Sequence, residues 1–131
     1  MSYQRFYKVS RPPLNMPNAP KIHWGIAVED PIWGHASVLH NTPGVGEHLG
    51  SLEEFAVGLP WQCELLQDSS AVAERFNRVL NNPKPYDPLS NNCQHTATTV
   101  AEGKPRSPTL MLVLLAITAV MIAVVLRKQQ A

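Results

Sequence analysis

At 131 residues, with 44% hydrophobic and 16% charged side chains and a net charge of +1, the chain has room for one globular domain at most. All ten acids lie in residues 22–103 with only three bases (Arg75, Arg78, Lys84), while four bases precede that segment (Arg5, Lys8, Arg11, Lys21) and four follow it (Lys104, Arg106, Arg127, Lys128). A basic start and a basic juxtamembrane segment on an acidic body suit an anionic membrane surface, and the body has no basic patch with interleaved aromatics, which argues against nucleic acid as a partner.

Residues 1–21 contain Pro12, Pro13, Pro17 and Pro20 and read as an irregular basic arm with a short extended piece at 5–9. Residues 22–29 predict a strand with Ile22, Trp24, Ile26 and Val28 on one face and His23, Gly25 and Ala27 on the other. Asp30-Pro31 makes a turn, and 32–40 predicts a second strand paired with the first as a hairpin. Pro43, Gly44, Gly46 and Gly50 mark 41–50 as a loop. Residues 51–57 read as a strand or short irregular segment, and 61–66 as a strand. A helix capped by Ser69 or Ser70 then runs to about Leu80, burying Val72, Phe76, Val79 and Leu80 and turning Arg75 and Arg78 to water. Ser90-Asn91-Asn92 leads into a helix with Cys93, Ala97 and Val100 on one face, and Gly103 is its stop. Residues 104–108 form a linker. Residues 109–126 hold 18 residues without a charge, about 27 Å of helix, enough for one membrane crossing; 127–131 is a short tail. The chain therefore reads as a single-pass membrane protein with a C-terminal anchor. The flanking charges are balanced, so they leave the orientation open; two cysteines and no N-terminal signal favour a cytosolic domain.

Cys93 stands in the first turn of its helix. The helix dipole there favours the thiolate, and free backbone N–H groups next to it could hold an oxyanion. A nucleophilic thiol needs a base, and histidine serves near neutral pH. His95 is two residues along the helix and points elsewhere. His48 lies in the glycine-rich loop and reads as solvated. His35 and His40, five apart on a strand, face opposite sides. His23 sits on the small-residue face, and a helix packed over Gly25 and Ala27 would bring Cys93 to it. Zinc prefers ligands in close pairs, whereas Cys63 and Cys93 are far apart and no histidine pair shares a helix face; no metal and no cofactor is expected, and Cys63 reads as packing.

The strand His23-Trp24-Gly25-Ile26-Ala27-Val28, a second histidine after Val38-Leu39, and Asn92-Cys93-Gln94-His95 at a helix start resemble the lecithin–retinol acyltransferase family, including its small phospholipase/acyltransferases. Its Asn-Cys-Glu-His-Phe box is similar to residues 92–96, with Gln94 for Glu and Thr96 for Phe. The resemblance covers 22–103 and implies an α+β fold, a small antiparallel sheet packed by helices in circularly permuted papain-like order. It implies Cys93 as nucleophile, His23 as base and His40 as the third polar group that orients His23. It also implies a membrane phospholipid or other acyl-lipid substrate. Residues 86–93 are similar as well to permuted (PPPDE) thiol peptidases, which need no third histidine. A peptidase or isopeptidase acting on protein conjugates, and a non-catalytic membrane-anchored module, are thus the rival readings. Nothing in the sequence bears on oligomeric state.

Overall fold

The computed structural model describes residues 4–29 and 36–130. They form an α+β fold. Strands β1 (Arg5–Arg11), β2 (His23–Glu29), β3 (Ala36–Thr42), β4 (Gly46–Ser51) and β5 (Gln62–Leu65) alternate late in the chain with helices α1 (Leu52–Ala56), α2 (Ser69–Asn81), α3 (Cys93–Glu102) and α4 (Pro108–Gln130). The strands make one open antiparallel sheet in the order β4-β3-β2-β1-β5. The predicted hairpin pairing of the second and third strands is present, from Gly25 opposite His40 to Glu29 opposite Ala36. The predicted turn and the first part of that strand, with His35, lie outside the described residues.

The sheet has two covered faces. Phe6, Ile26 and Leu39 point to one, where Val72 and Phe76 of α2 and Ala97 and Val100 of α3 close the larger core. Val9, Ala27 and Val38 point to the other, covered by Phe55 of α1. This corrects the expected packing. The helix carrying Cys93 lies on the Ile26 face, not over Gly25 and Ala27. Gly25 instead admits the Phe55 ring: a Cβ there would stand 2.8 Å from Val38 Cγ1 and 3.2 Å from Phe55 Cε2. A small-residue face accepts one large aromatic as readily as it accepts a helix.

Four further expectations are corrected. The extended piece expected at 5–9 is present but is no part of an arm: it runs on to Arg11 as an inner strand, flanked by β2 and β5; because both of its faces are covered, its apolar positions do not alternate cleanly with polar ones. Residues 41–50 are no loop: β3 runs on to Thr42, and a short turn with Gly44 and Gly46 at positive φ returns the chain into β4. Residues 52–56 form a helical turn, opened by a capping box between Ser51 and Glu54. Arg75 does not face water; it donates to the carbonyls of Val100 (2.7 Å) and Ala101 (3.1 Å), closing the end of α3. As predicted, α2 buries Val72 and Phe76, although Asp68 rather than a serine caps it.

The last helix is 23 residues long, with mean hydropathy 2.9 in its most apolar window and none of that window buried. At about 35 Å it is long enough to cross a membrane.

Candidate active site

Helix α3 begins where sequence reading placed it. Asn92 is the N-cap: its Oδ1 accepts the N–H groups of Gln94 (2.9 Å) and His95 (3.1 Å), and His95 Nδ1 accepts the Asn92 N–H at 3.0 Å. His95 is thus a cap residue. Gly103, with φ of 82°, ends the helix.

This start of α3 sits where two strands part. Gly25 opposite His40 is the last pair of the β2–β3 ladder. Beyond it the segment before α3 bridges the two strands: Asn41 Nδ2 donates to the Asn91 carbonyl at 2.6 Å, and Gln94 Nε2 to the Ile22 carbonyl at 3.0 Å. The Cys93 thiol, half-buried, lies 3.7 Å from the same Ile22 carbonyl, and the Trp24 N–H also reaches it. The sulfur therefore meets the backbone on both sides of His23.

His23 and His40 come together on the Phe55 side of the sheet. His23 Nε2 and His40 Nδ1 are 3.3 Å apart, and the His23 ring stacks on Phe55 at 5.2 Å. With Nε2 engaged, Nδ1 is the nitrogen His23 has left for a second partner. His40 is buried and its Nε2 has no hydrogen-bond partner among the described residues. His48, expected in solvent, stands opposite His40 in the β3–β4 ladder with ring centres 4.3 Å apart, and its Nδ1 lies 2.8 Å from the Gly46 carbonyl.

Sequence reading missed three contributors. Arg11 pairs with His23 across β1 and β2. Its guanidinium is buried, bonded to the Phe55 and Pro12 carbonyls, and lies 5.6 Å from the Phe55 ring centre. Phe55 is the common floor of Arg11, His23 and His40. Glu47, opposite Asn41 in β4, accepts the Thr96 hydroxyl at 2.6 Å, while Thr96 accepts from Asn41 at 3.1 Å. Thr96 is thus the centre of a buried polar tie between α3, β3 and β4. The alternation of His40 and His48 with Asn41 and Glu47 was the available signal, hidden by reading 41–50 as a loop.

The electrostatics differ from expectation. Burial holds the Cys93 thiol above its ordinary value; the N–H groups of Trp24, Gln94 and Cys93 itself, with the Arg11 cation, pull it down but do not prevail. Burial, then the positive charge of Arg11, lowers His23 to about 3. Burial, then His48 and Arg11, lowers His40 to about 4. At neutral pH the thiol and both imidazoles are therefore uncharged, because desolvation outweighs the helix dipole. No group of three or more His, Cys, Asp or Glu among the described residues is arranged to hold a metal ion.

Comparison with protein-family models, curated proteins and solved structures finds no match to this chain.

Proposed function

We propose that the protein is a membrane-anchored thiol acyltransferase or hydrolase acting on lipid acyl esters, built in the order of a circularly permuted papain-type enzyme, with its catalytic domain in the cytosol. The observation that carries this reading is the Cys93 thiol lodged against the backbone on either side of His23, while His23 is bonded to His40. His40 orients the His23 ring and leaves its Nδ1 as the base. The proton passes from Sγ to His23 as the sulfur attacks the acyl carbonyl, since no standing thiolate exists. The Gln94 N–H is already given to the Asn92 cap, so the N–H groups of Cys93 and Trp24 are the donors open to the oxyanion. The intermediate expels the alcohol, which takes the proton from His23, and leaves a thioester on Cys93. Water, an amine or an alcohol then accepts the acyl group. The apolar α4 favours a substrate already in the bilayer.

The test presents the full chain with phospholipid vesicles and, separately, with ubiquitin-like conjugates. Release of lysophospholipid or transfer of its acyl group, lost in Cys93→Ser and His23→Gln, is expected. Cleavage of the conjugates alone would sink the lipid reading.

A further inference from the structure

From sequence alone, the helix that follows Cys93 and the connection from Gly103 to Pro108 together leave Cys93 anywhere within roughly 35 Å of the bilayer. The contacts at that segment are of another kind. Ser107 begins α4, accepting the Met111 N–H on its carbonyl at 3.0 Å and the Leu110 N–H on its hydroxyl at 3.4 Å. The same hydroxyl accepts from Asn92 Nδ2 at 3.0 Å and donates to Gln94 Oε1 at 3.0 Å. Asn92 and Gln94 are the two residues that flank Cys93. Gln94 goes further into α4: its Oε1 accepts the Thr109 N–H at 3.0 Å, and its Nε2 donates to Thr109 Oγ1 at 2.7 Å as well as to the Ile22 carbonyl. Every donor and acceptor of this carboxamide is used. A carboxylate, which only accepts, could take a hydrogen bond from the Thr109 hydroxyl but could not bond the Ile22 carbonyl, which gives a physical reason for glutamine at this position. A separate tie joins Thr98 Oγ1 to the N–H of Arg106 at 2.7 Å and its carbonyl at 3.0 Å. Asn92, Gln94, Thr98 and Ser107 are all buried.

The geometry points to α4 as part of the mounting of the nucleophile, with Ser107 as a positioning residue that acts on Cys93 through Asn92 and Gln94. This rests on the reading of Cys93 as nucleophile and of α4 as a membrane span. Thr109 opens the apolar run, and Gln94, next to Cys93 in the chain, touches it. The sulfur is therefore held within about 10 Å of the top of the span, since Sγ lies 3.7 Å from the Ile22 carbonyl, that carbonyl 3.0 Å from Gln94 Nε2, and Nε2 2.7 Å from Thr109 Oγ1. A docked span keeps Cys93 at the depth where the ester carbonyls of a bilayer lie, and any movement of α4 reaches the thiol directly.

Two readouts test this without requiring turnover. In the first, the full chain carrying Cys63→Ser has Cys93 labelled with a small fluorophore in phosphatidylcholine vesicles. Nitroxide lipids labelled at the headgroup, the upper chain or the chain end serve as quenchers. Strongest quenching by the headgroup and upper-chain probes is expected; absence of quenching by both, with α4 protected from protease, overturns the docking. In the second, the rate of Cys93 alkylation by iodoacetamide is followed against pH. Ser107→Ala is expected to loosen the thiol's surroundings and bring its titration down by about half to one pH unit. Alkylation at pH 7.5 then rises about three- to tenfold, and Ser107→Thr restores the slow rate. An unchanged rate and pH profile in a destabilised Ser107→Ala overturns the positioning role. Where Ser107→Ala does not fold, Thr109→Val, which keeps the shape and removes one bond to Gln94, carries the same comparison. If lipid turnover fails while both results hold, the proposed reaction is wrong and the docked span stands.

Discussion

Acid should cost this fold several kcal/mol, and most of the loss traces to two residues. An unfolded histidine titrates near 6.5, whereas burial and the nearby Arg11 hold His23 to about 3, and burial, His48 and Arg11 hold His40 to about 4. Between those values and 6.5 the unfolded chain binds more protons than the folded one. Their contribution is therefore complete above pH 6.5 and is lost as pH falls toward the folded-state values. At pH 4.5, two units below 6.5, the limit is about 2.7 kcal/mol for each ring. His23 retains water contact and the rings share a hydrogen bond, so the pair together is expected to cost about 2–4 kcal/mol rather than the full sum. His95, also lowered by burial, acts in the same direction. The assay is urea unfolding of the full chain in non-ionic micelles at pH 7 and 4.5, followed by tryptophan fluorescence, which comes from outside α4. The same measurement on His23→Gln/His40→Gln should show a much smaller difference between the two pH values. An equal loss in both proteins, or none in the parent, would refute the burial of two neutral imidazoles.

Three further outcomes follow from the packing and the site. Gly25→Ala places a methyl 2.8 Å from Val38 Cγ1 and 3.1 Å from the Leu39 carbonyl; overpacking of about 1–3 kcal/mol is expected in chemical denaturation, and a neutral result would show that Val38 and the β3 backbone can move away. Thr96→Val keeps the shape but strips Asn41 and Glu47 of a buried partner, so a loss of about 1–3 kcal/mol is expected by the same method; unchanged stability would mean that the polar tie is dispensable. In a Cys63→Ser background, Cys93 should react with iodoacetamide more slowly than a free model thiol at pH 7 and gain rate as pH rises past the ordinary thiol range, because burial keeps it protonated. Fast alkylation that is flat from pH 5 to 8 would reveal a standing thiolate and contradict the electrostatics described here.

The parts legible in the sequence are those written in local signals. Asn92 and Gly103 mark the two ends of α3 because capping and left-handed backbone are properties of single residues. The apolar run of α4 and the stripe of α2 are similarly local. The hairpin of β2 and β3 was also legible, and its pairing brings His23 beside His40, a neighbour that only the family resemblance had implied. What escaped depends on which surface each element chooses. Gly25 and Ala27 announce close packing but do not say whether a helix or the Phe55 ring provides it. β1 is followed by Pro12 and Pro13 and covered on both faces, so its sequence marked a short extended piece but not an inner strand of the sheet. Glycines at 44 and 46 serve a tight turn between long strands, and reading them as loop hid His48 and Glu47. The Ser51-x-x-Glu54 signature of α1 was present and was overlooked. The thiol's direction of shift escaped because burial, a tertiary property, outweighs the dipole of its own helix.

The central claim is covalent chemistry at Cys93 on membrane lipid. Intact-protein and peptide mass spectrometry of the full chain, after incubation with mixed phospholipid vesicles and acid quench, tests it most directly. An acyl mass on the peptide holding Cys93, labile to hydroxylamine and absent in Cys93→Ser and His23→Gln, is the expected result. Folded, membrane-inserted protein that carries no acyl group, or an acyl group that persists in Cys93→Ser, would contradict it.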